Sequence, residues 1–154
     1  MIKRIFLLPV IVLLGLNVLA QEKLVEKDGL YYKNDMLYSG THKEYFDNGN
    51  LRISMHVKDG VKDGEVILYH KDGQKKELRT YEEGNKSGKW VTWNKEGTKT
   101  GLAFYDDNKK DSTWYIWDEN GTKRFEMYYE DGKKSGVWKM WDENGKLINT
   151  REFD

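Results

Sequence analysis

The stretch Tyr81-Glu82-Glu83-Gly84-Asn85-Lys86-Ser87-Gly88-Lys89-Trp90-Val91-Thr92-Trp93-Asn94-Lys95-Glu96-Gly97 decides the reading of the chain, because its glycines and rings recur at a fixed step. Gly49, Gly73, Gly97, Gly121 and Gly145 are each 24 residues apart. Gly40, Gly64, Gly88 and Gly136 keep the step with Ser112 in the remaining slot, and Gly60, Gly84 and Gly132 keep it with Asn108 standing in. Asn is the best substitute where φ is positive, so this third column is a turn position. Rings follow the same step: Tyr45, Tyr69, Trp93, Trp117 and Trp141 in one phase, Trp90, Trp114 and Trp138 in a second, and Val57, Tyr81, Tyr105, Tyr129 and Phe153 in a third. A period of this length marks a repeat architecture.

Each copy reads as a β-hairpin. Asp47-Asn48-Gly49-Asn50, Lys71-Asp72-Gly73-Gln74, Glu119-Asn120-Gly121-Thr122 and Glu143-Asn144-Gly145-Lys146 set Asn-Gly or Asp-Gly between apolar runs, which predicts two-residue type I′ turns; Lys95-Glu96-Gly97-Thr98 fits less well. The other connection, such as Glu82 to Gly88, reads as a looser turn. Segments such as Trp114 to Asp118 and Arg124 to Tyr129 are too short for helices and rich in aromatic residues. With Asn120 and Gly121 as central turn residues, Trp117 should face Arg124, Ile116 face Phe125 and Trp114 face Met127. The same register sets Trp90 against Ala103 and Trp138 against Arg151.

Working outward, Leu30, Tyr31 and Tyr32 with Asn34 to Gly40 match the second half of a repeat, and the last copy stops after Phe153, as terminal units of an array do. The expected fold is all-β: an elongated antiparallel meander of consecutive hairpins over residues 30 to 154, half a repeat plus five copies. About eleven strands roughly 4.8 Å apart would extend some 50 Å. Residues 21 to 29 are expected to be a flexible or edge-capping segment.

Residues 1 to 20 carry Lys3 and Arg4 before an apolar run from Ile5 to Leu16, then Val18 and Ala20 at small-residue cleavage positions. That is the layout of a secretory signal peptide, a helix removed after Ala20. It is short for a membrane span and is interrupted by Pro9, Gly15 and Asn17. The expectation is export to the periplasm or the outside of the cell. Without Cys, the exported domain has no disulfide framework and no lipid-modified cysteine.

The pattern of an aromatic residue, Gly three on, Gly four after that, Trp two later and an aromatic residue three beyond is carried by Tyr81, Gly84, Gly88, Trp90 and Trp93, and again by Tyr129, Gly132, Gly136, Trp138 and Trp141. It resembles the MORN-repeat variant. The resemblance covers nearly all of residues 30 to 154, with departures at Asn108 and Ser112 and with His42 and Val66 in the Trp column. It implies a meander of hairpins serving protein or membrane-surface attachment. Many bacterial members carry the label of a YwqK-type antitoxin. The leader argues against that label here, since a conventional antitoxin meets its toxin in the cytoplasm.

Composition narrows the function classes. Of 154 residues, 26 are basic and 26 acidic, while six Trp, ten Tyr and five Phe exceed what disordered polyampholytes carry. A formal charge of zero supplies no field for phosphate backbones, so no nucleic acid partner is expected. His42, His56 and His70 occupy three different repeat columns, which gives no convergence on a metal. Asp118-Glu119-Asn120-Gly121 and Asp142-Glu143-Asn144-Gly145 lack the ligand order of a calcium loop. Carboxylate pairs recur as Glu82 with Glu83, Asp106 with Asp107 and Glu130 with Asp131, as a solvated turn edge would. No nucleophile elbow or phosphate loop is present, and no cofactor is expected.

The rings carry the functional reading. Trp90 and Trp93 point to opposite faces of a strand, as do Trp114 with Trp117 and Trp138 with Trp141. A sheet without helices has no second layer to cover both faces. Either all rings stabilise the array, or one stripe, Tyr69, Trp93, Trp117 and Trp141, forms a binding surface for a protein segment or a glycan. The reading is an exported, non-enzymatic repeat protein presenting a β surface to a protein partner. Its rivals are an antitoxin or immunity-type neutraliser of a cognate toxin and, from another class, a binder or hydrolase of cell-wall glycans.

Overall fold

The computed structural model of the protein describes residues 23–154. The leader expected over residues 1 to 20, with its helix, lies outside them. The chain is a meander of antiparallel strands, as the repeat predicts. β1 (Val25–Lys27), β2 (Leu30–Lys33) and β3 (Met36–Leu37) form a small three-stranded sheet. There follow β4 (Gly40–Tyr45), β5 (Leu51–Lys58), β6 (Val61–Tyr69), β7 (Lys75–Glu82), β8 (Asn85–Lys86), β9 (Gly88–Trp93), β10 (Lys99–Asp106), β11 (Lys109–Trp117), β12 (Lys123–Glu130), β13 (Lys133–Trp141) and β14 (Leu147–Phe153). These make one sheet of 11 strands in which each neighbours the next in sequence, β8 pairing only with the end of β7.

Two kinds of turn alternate, and they are the reverse of the sequence expectation. At the Asn-Gly corners only the glycine has positive φ, for example Gly121 at 85°. The Gly121 N–H donates to the Asp118 carbonyl at 3.0 Å and the Asp118 N–H to the Thr122 carbonyl at 3.0 Å. This is a type I turn closed by a left-handed glycine, which adds one residue to the following strand as a bulge. The bulge shifts the register between Ile116 and Trp117, so Trp117 pairs with Lys123 and not with Arg124. The expected pairs before the bulge hold: Ile116 with Phe125, Trp114 with Met127, Trp90 with Ala103 and Trp138 with Arg151. Because this turn asks for positive φ only at its glycine, Glu96 before Gly97 is as well suited as Asn.

The connections expected to be loose are the two-residue type I′ turns. Glu83 and Gly84 have φ of 47° and 88°, Asp107 and Asn108 41° and 67°, Asp131 and Gly132 49° and 83°. Asn108 is therefore left-handed, as its place in the third glycine column requires. The second glycine column lies inside the next strand, at Gly64, Gly88 and Gly136, with Ser112 forced to φ 55°.

The core sits at the N-terminal end. Met55, Val57 and Val66 are exposed by only 3 to 4% and meet Tyr31 of β2, with Leu24 and Tyr38 packed against them. Burying aliphatic side chains of this size contributes about 1.5–3 kcal/mol each. The small sheet is tied down by the Tyr31 N–H to the Gly60 carbonyl at 2.8 Å and the Gly60 N–H to the Tyr38 carbonyl at 2.9 Å. A side chain at position 60 would meet the tip of the half-exposed Leu37 side chain, which can turn aside, so it is the φ of 82° at this turn that calls for glycine.

Candidate functional site

Strand pairing sorts the rings into two sets on opposite faces, since directly opposed residues project to the same side. On one face Tyr81, Trp90, Tyr105, Trp114, Tyr129, Trp138 and Phe153 form an unbroken ladder, with successive ring centroids 4.8–5.6 Å apart and planes inclined by 51–62°. Such tilted pairs are worth about 0.5–1.5 kcal/mol each beyond area burial. The indole N–H groups close the structure further. Trp90 Nε1 donates to the Thr80 carbonyl at 3.0 Å, Trp114 Nε1 to Phe104 at 2.9 Å and Trp138 Nε1 to Tyr128 at 2.9 Å.

A lysine column completes the ladder. Lys86 Nζ lies 5.4 Å and 5.3 Å from the Trp90 and Tyr105 ring centroids, Lys110 Nζ 4.5 Å and 4.8 Å from Trp114 and Tyr129, and Lys134 Nζ 4.7 Å and 5.1 Å from Trp138 and Phe153. In the first repeat Lys62 lies over Tyr81 and, in place of an indole, Tyr31 of the small sheet. The sequence reading missed this column, although Lys62, Lys86, Lys110 and Lys134 keep the repeat step and stand two residues after each type I′ glycine position.

The stripe of the sequence reading, Tyr69, Trp93, Trp117 and Trp141, lies on the other face, at the strand ends beside the type I turns. These side chains are half-buried. Lys75, Lys99 and Lys123 on the intervening strands pair with the first three. Lys99 Nζ sits 4.6 Å over Trp117 and Lys123 Nζ 4.1 Å over Trp141, while Tyr115 stacks on Trp117 at 5.5 Å and 25°. No ring contact joins the four stripe residues to one another among the described residues. The two faces thus differ: one carries rings in continuous contact, the other rings alternating with cations.

Behind the stripe, Glu126 is buried to 8% exposure and accepts from Lys123 Nζ at 2.7 Å, Tyr128 Oη at 2.9 Å and Lys139 Nζ at 3.3 Å. The Lys123 bond, outweighing the opposing effect of burial, holds its carboxyl below the usual range, with Tyr128 and Lys139 adding to it. The same bond fixes Lys123 over Trp141. The turns beneath the stripe are stitched to one another: His70 Nε2 lies 3.2 Å from the Trp93 carbonyl, Asn94 Nδ2 donates to Glu119 at 3.1 Å and Arg124 Nε to Trp141 at 3.0 Å.

The other chemistry-bearing residues have local partners. Asp118 accepts from the Asn120 and Thr122 N–H groups at 3.0 and 2.9 Å, and Asp142 from Asn144 and Lys146 at 2.9 Å each. Their carboxylates stabilise turns. His42 pairs with Glu44, which also binds Arg52; burial and then Lys33 lower the His42 pKa. Glu82, Glu83, Asp106 and Asp107 gather around Asn85 and Ser87 on the edge of the type I′ turns. Among the described residues, no group of three or more His, Cys, Asp or Glu side chains is placed to hold a metal ion.

The repeat is shared with other proteins. No curated protein matches the chain. A family model described as the MORN repeat variant matches residues 38–59, 62–83, 110–131 and 134–154. The starts keep the 24-residue step across the unmatched interval, where β8, β9 and β10 build a hairpin of the same plan with its first strand interrupted at Ser87. With more than half of its length matched in phase with the observed hairpins, the chain belongs to the MORN repeat variant family.

Proposed function

We propose that the chain is an exported, non-enzymatic repeat protein that binds a protein partner, in the periplasm or outside the cell, through the row of Tyr69, Trp93, Trp117 and Trp141. The observation that carries this reading is the division of the rings. The ladder rings are held by each other, whereas the four stripe rings make no ring contact with one another among the described residues and stand half-buried at a regular spacing. Half-exposed Trp and Tyr beside cations are the anchors that protein interfaces favour. Export rests on the sequence of residues 1 to 20.

Replacing Trp93 and Trp117 together with Ser tests it. The circular-dichroism spectrum and the melting temperature should change little, while capture of partners from an envelope extract by the immobilised chain should be lost. Capture equal to that of the parent would refute the stripe as the contact. For export, mass spectrometry of the chain recovered from the envelope should find an N-terminus at Gln21; recovery of chain beginning at Met1 from the cytoplasm contradicts it.

A further inference from the structure

The large sheet ends in two unlike edges that match one another. Among the described residues, β4 and β14 are each paired on one side only. β14 is the second strand of its hairpin. The other strands in that role, β5, β7, β10 and β12, each pair on their far side with the first strand of the next hairpin, β6, β9, β11 and β13. β4 is such a first strand, with Gly40 in the column of Gly64, Gly88 and Gly136. The outer edges of β14 and β4 are therefore the two halves of a contact that the chain already makes four times.

The register of that contact is fixed. Ile53, Ser54 and Met55 oppose Leu68, Ile67 and Val66, and at the same repeat positions Phe125 and Glu126 oppose Met140 and Lys139. The 24-residue step carries these positions to Asn149 with Glu44, Thr150 with Lys43 and Arg151 with His42. The backbone agrees. The Thr80 carbonyl accepts the Ser87 N–H at 3.0 Å, and the Phe104 and Tyr128 carbonyls accept the indoles of Trp114 and Trp138 on the strands that follow. Residues two apart on a strand turn their N–H and C=O groups to the same edge, and opposed residues exchange them in pairs. In the last repeat Thr150 and Glu152 thus turn theirs outward from β14, as Lys43 does from β4.

The side chains agree as well. Tyr45 and Ile148 are each 53% exposed. Inside the array these two positions are held by Trp141 and Arg124, which are half-buried and joined by the bond from Arg124 Nε to the Trp141 carbonyl. Set edge to edge, Ile148 and Tyr45 would cover each other. On the ladder face Arg151 would be a diagonal neighbour of Glu44, and on the stripe face Glu152 a diagonal neighbour of Lys43, so both diagonals join opposite charges. Pairing β14 with itself about a two-fold axis at Thr150 would instead make Arg151 a diagonal neighbour of Arg151 of the second copy.

We propose that copies of the chain associate head to tail, the outer edge of β14 adding to the outer edge of β4 of a second copy, so that the sheet runs on from one molecule to the next. The contact is heterologous and does not close on two copies, so association continues as concentration rises. It rests on strand pairing and stands independently of the stripe as a binding surface.

Sedimentation velocity of the full exported chain tests it. The weight-average mass should rise with concentration past that of a dimer. Thr150→Pro removes an N–H from the outer edge of β14 and Lys43→Pro one from the outer edge of β4, and edge strands tolerate proline at such positions. Each should weaken association about tenfold or more and sediment as a monomer where the parent is associated. Mixed together, the two variants keep one intact edge of each kind and should form a 1:1 dimer that grows no further. Ile148→Lys and Tyr45→Lys, both at exposed positions, repeat the test without altering the backbone, and circular dichroism checks that every variant is folded. A parent mass that does not change with concentration overturns the proposal. So does association of Lys43→Pro alone, which would mean that β14 pairs with itself, association of Thr150→Pro alone, or failure of folded variants blocked at opposite edges to form the mixed dimer.

Discussion

The same repeat columns are filled differently at the two ends of the sheet. Under the small N-terminal sheet, the indole column holds Val66 and the tyrosine column holds Val57, both almost fully buried. From β9 onward those columns hold Trp90, Trp114 and Trp138 and Tyr105, Tyr129 and Phe153, mostly half-buried. The difference follows from layering. Where β1 to β3 supply a second layer, aliphatic side chains reach full burial, and the hydrophobic effect acts on compact groups. Where no second layer among the described residues covers the face, a side chain gains from its neighbours in the sheet, and large rings in contact with each other and with a lysine gain most. Tyr31 joins the two regimes, since it sits where an indole would stand and shares Lys62 with Tyr81.

This contrast can be broken first at Tyr31. Tyr31→Ala removes the ring from the capped core and should cost about 3 kcal/mol by denaturant unfolding. If the ring stands in for the missing indole, Val66→Trp should be destabilising alone, by about 1–3 kcal/mol through overpacking, and should recover part of the loss in the Tyr31→Ala background. Additive losses would show that the two sites are unrelated.

The alkaline limb gives a second handle. Burial, reinforced by Glu26, pushes the Tyr31 phenol up to about 12. An acid whose pKa is raised by folding favours the protonated native state. Its contribution is therefore complete below the unfolded value of about 10 and is lost as pH rises toward 12. Tyr31→Phe, which cannot ionise, should melt close to the parent at neutral pH and above it between pH 10 and 12, and the melting temperatures should not cross if the cap is held in some other way.

Smaller effects sharpen the ladder end. Ser112 holds φ 55° in a column of glycines, a conformation that costs an L-residue roughly 1–2 kcal/mol. Allowing for the greater freedom of glycine when unfolded, Ser112→Gly should stabilise by about 1 kcal/mol in denaturant midpoint analysis. Gly136→Ser should lose a similar amount, and insensitivity at both positions would contradict the strain. Glu126→Gln should cost about 1 kcal/mol at neutral pH. Lys123, foremost, depresses the Glu126 carboxyl, so its contribution is present above the unfolded value of about 4.3 and is lost as pH falls through the lower folded value. The gap between parent and variant melting temperatures should close on acidification below that value, and a constant gap would assign the cost to packing.

Much of this was legible before any coordinates. The step between Gly49 and Gly73, or between Trp90 and Trp114, is visible without knowing the fold, and strand alternation places Trp114 and Trp117 on opposite faces. The turn types were not legible. Both corners are written in Asn, Asp, Glu and Gly, and what separates them is whether Asn120 or Glu83 takes the positive φ, a choice made by the hydrogen bonds of the flanking strands. That choice cost one pairing, Trp117 with Lys123, while the pairs nearer the middle of the strand were unaffected. Lys86 and Lys110 were also missed, since a lysine in a chain so rich in charge reads as solvated until the two rings beneath it are placed. For the stripe, position could be read and use could not, because Trp93 and Trp90 are the same residue in sequence and differ only in what touches them.

That difference is open to one direct measurement, thermal unfolding of Trp114→Ser beside Trp117→Ser, two substitutions three residues apart on one strand. The ladder residue loses contacts with Tyr105, Tyr129 and Lys110 and the bond to Phe104. It should cost about 3 kcal/mol, on the order of 10 °C in Tm. The stripe residue loses one stacked ring and one lysine and should cost no more than about a third of that. Equal losses, or a larger one at Trp117, would contradict the division of the rings into a ladder that holds the sheet together and a stripe that does not.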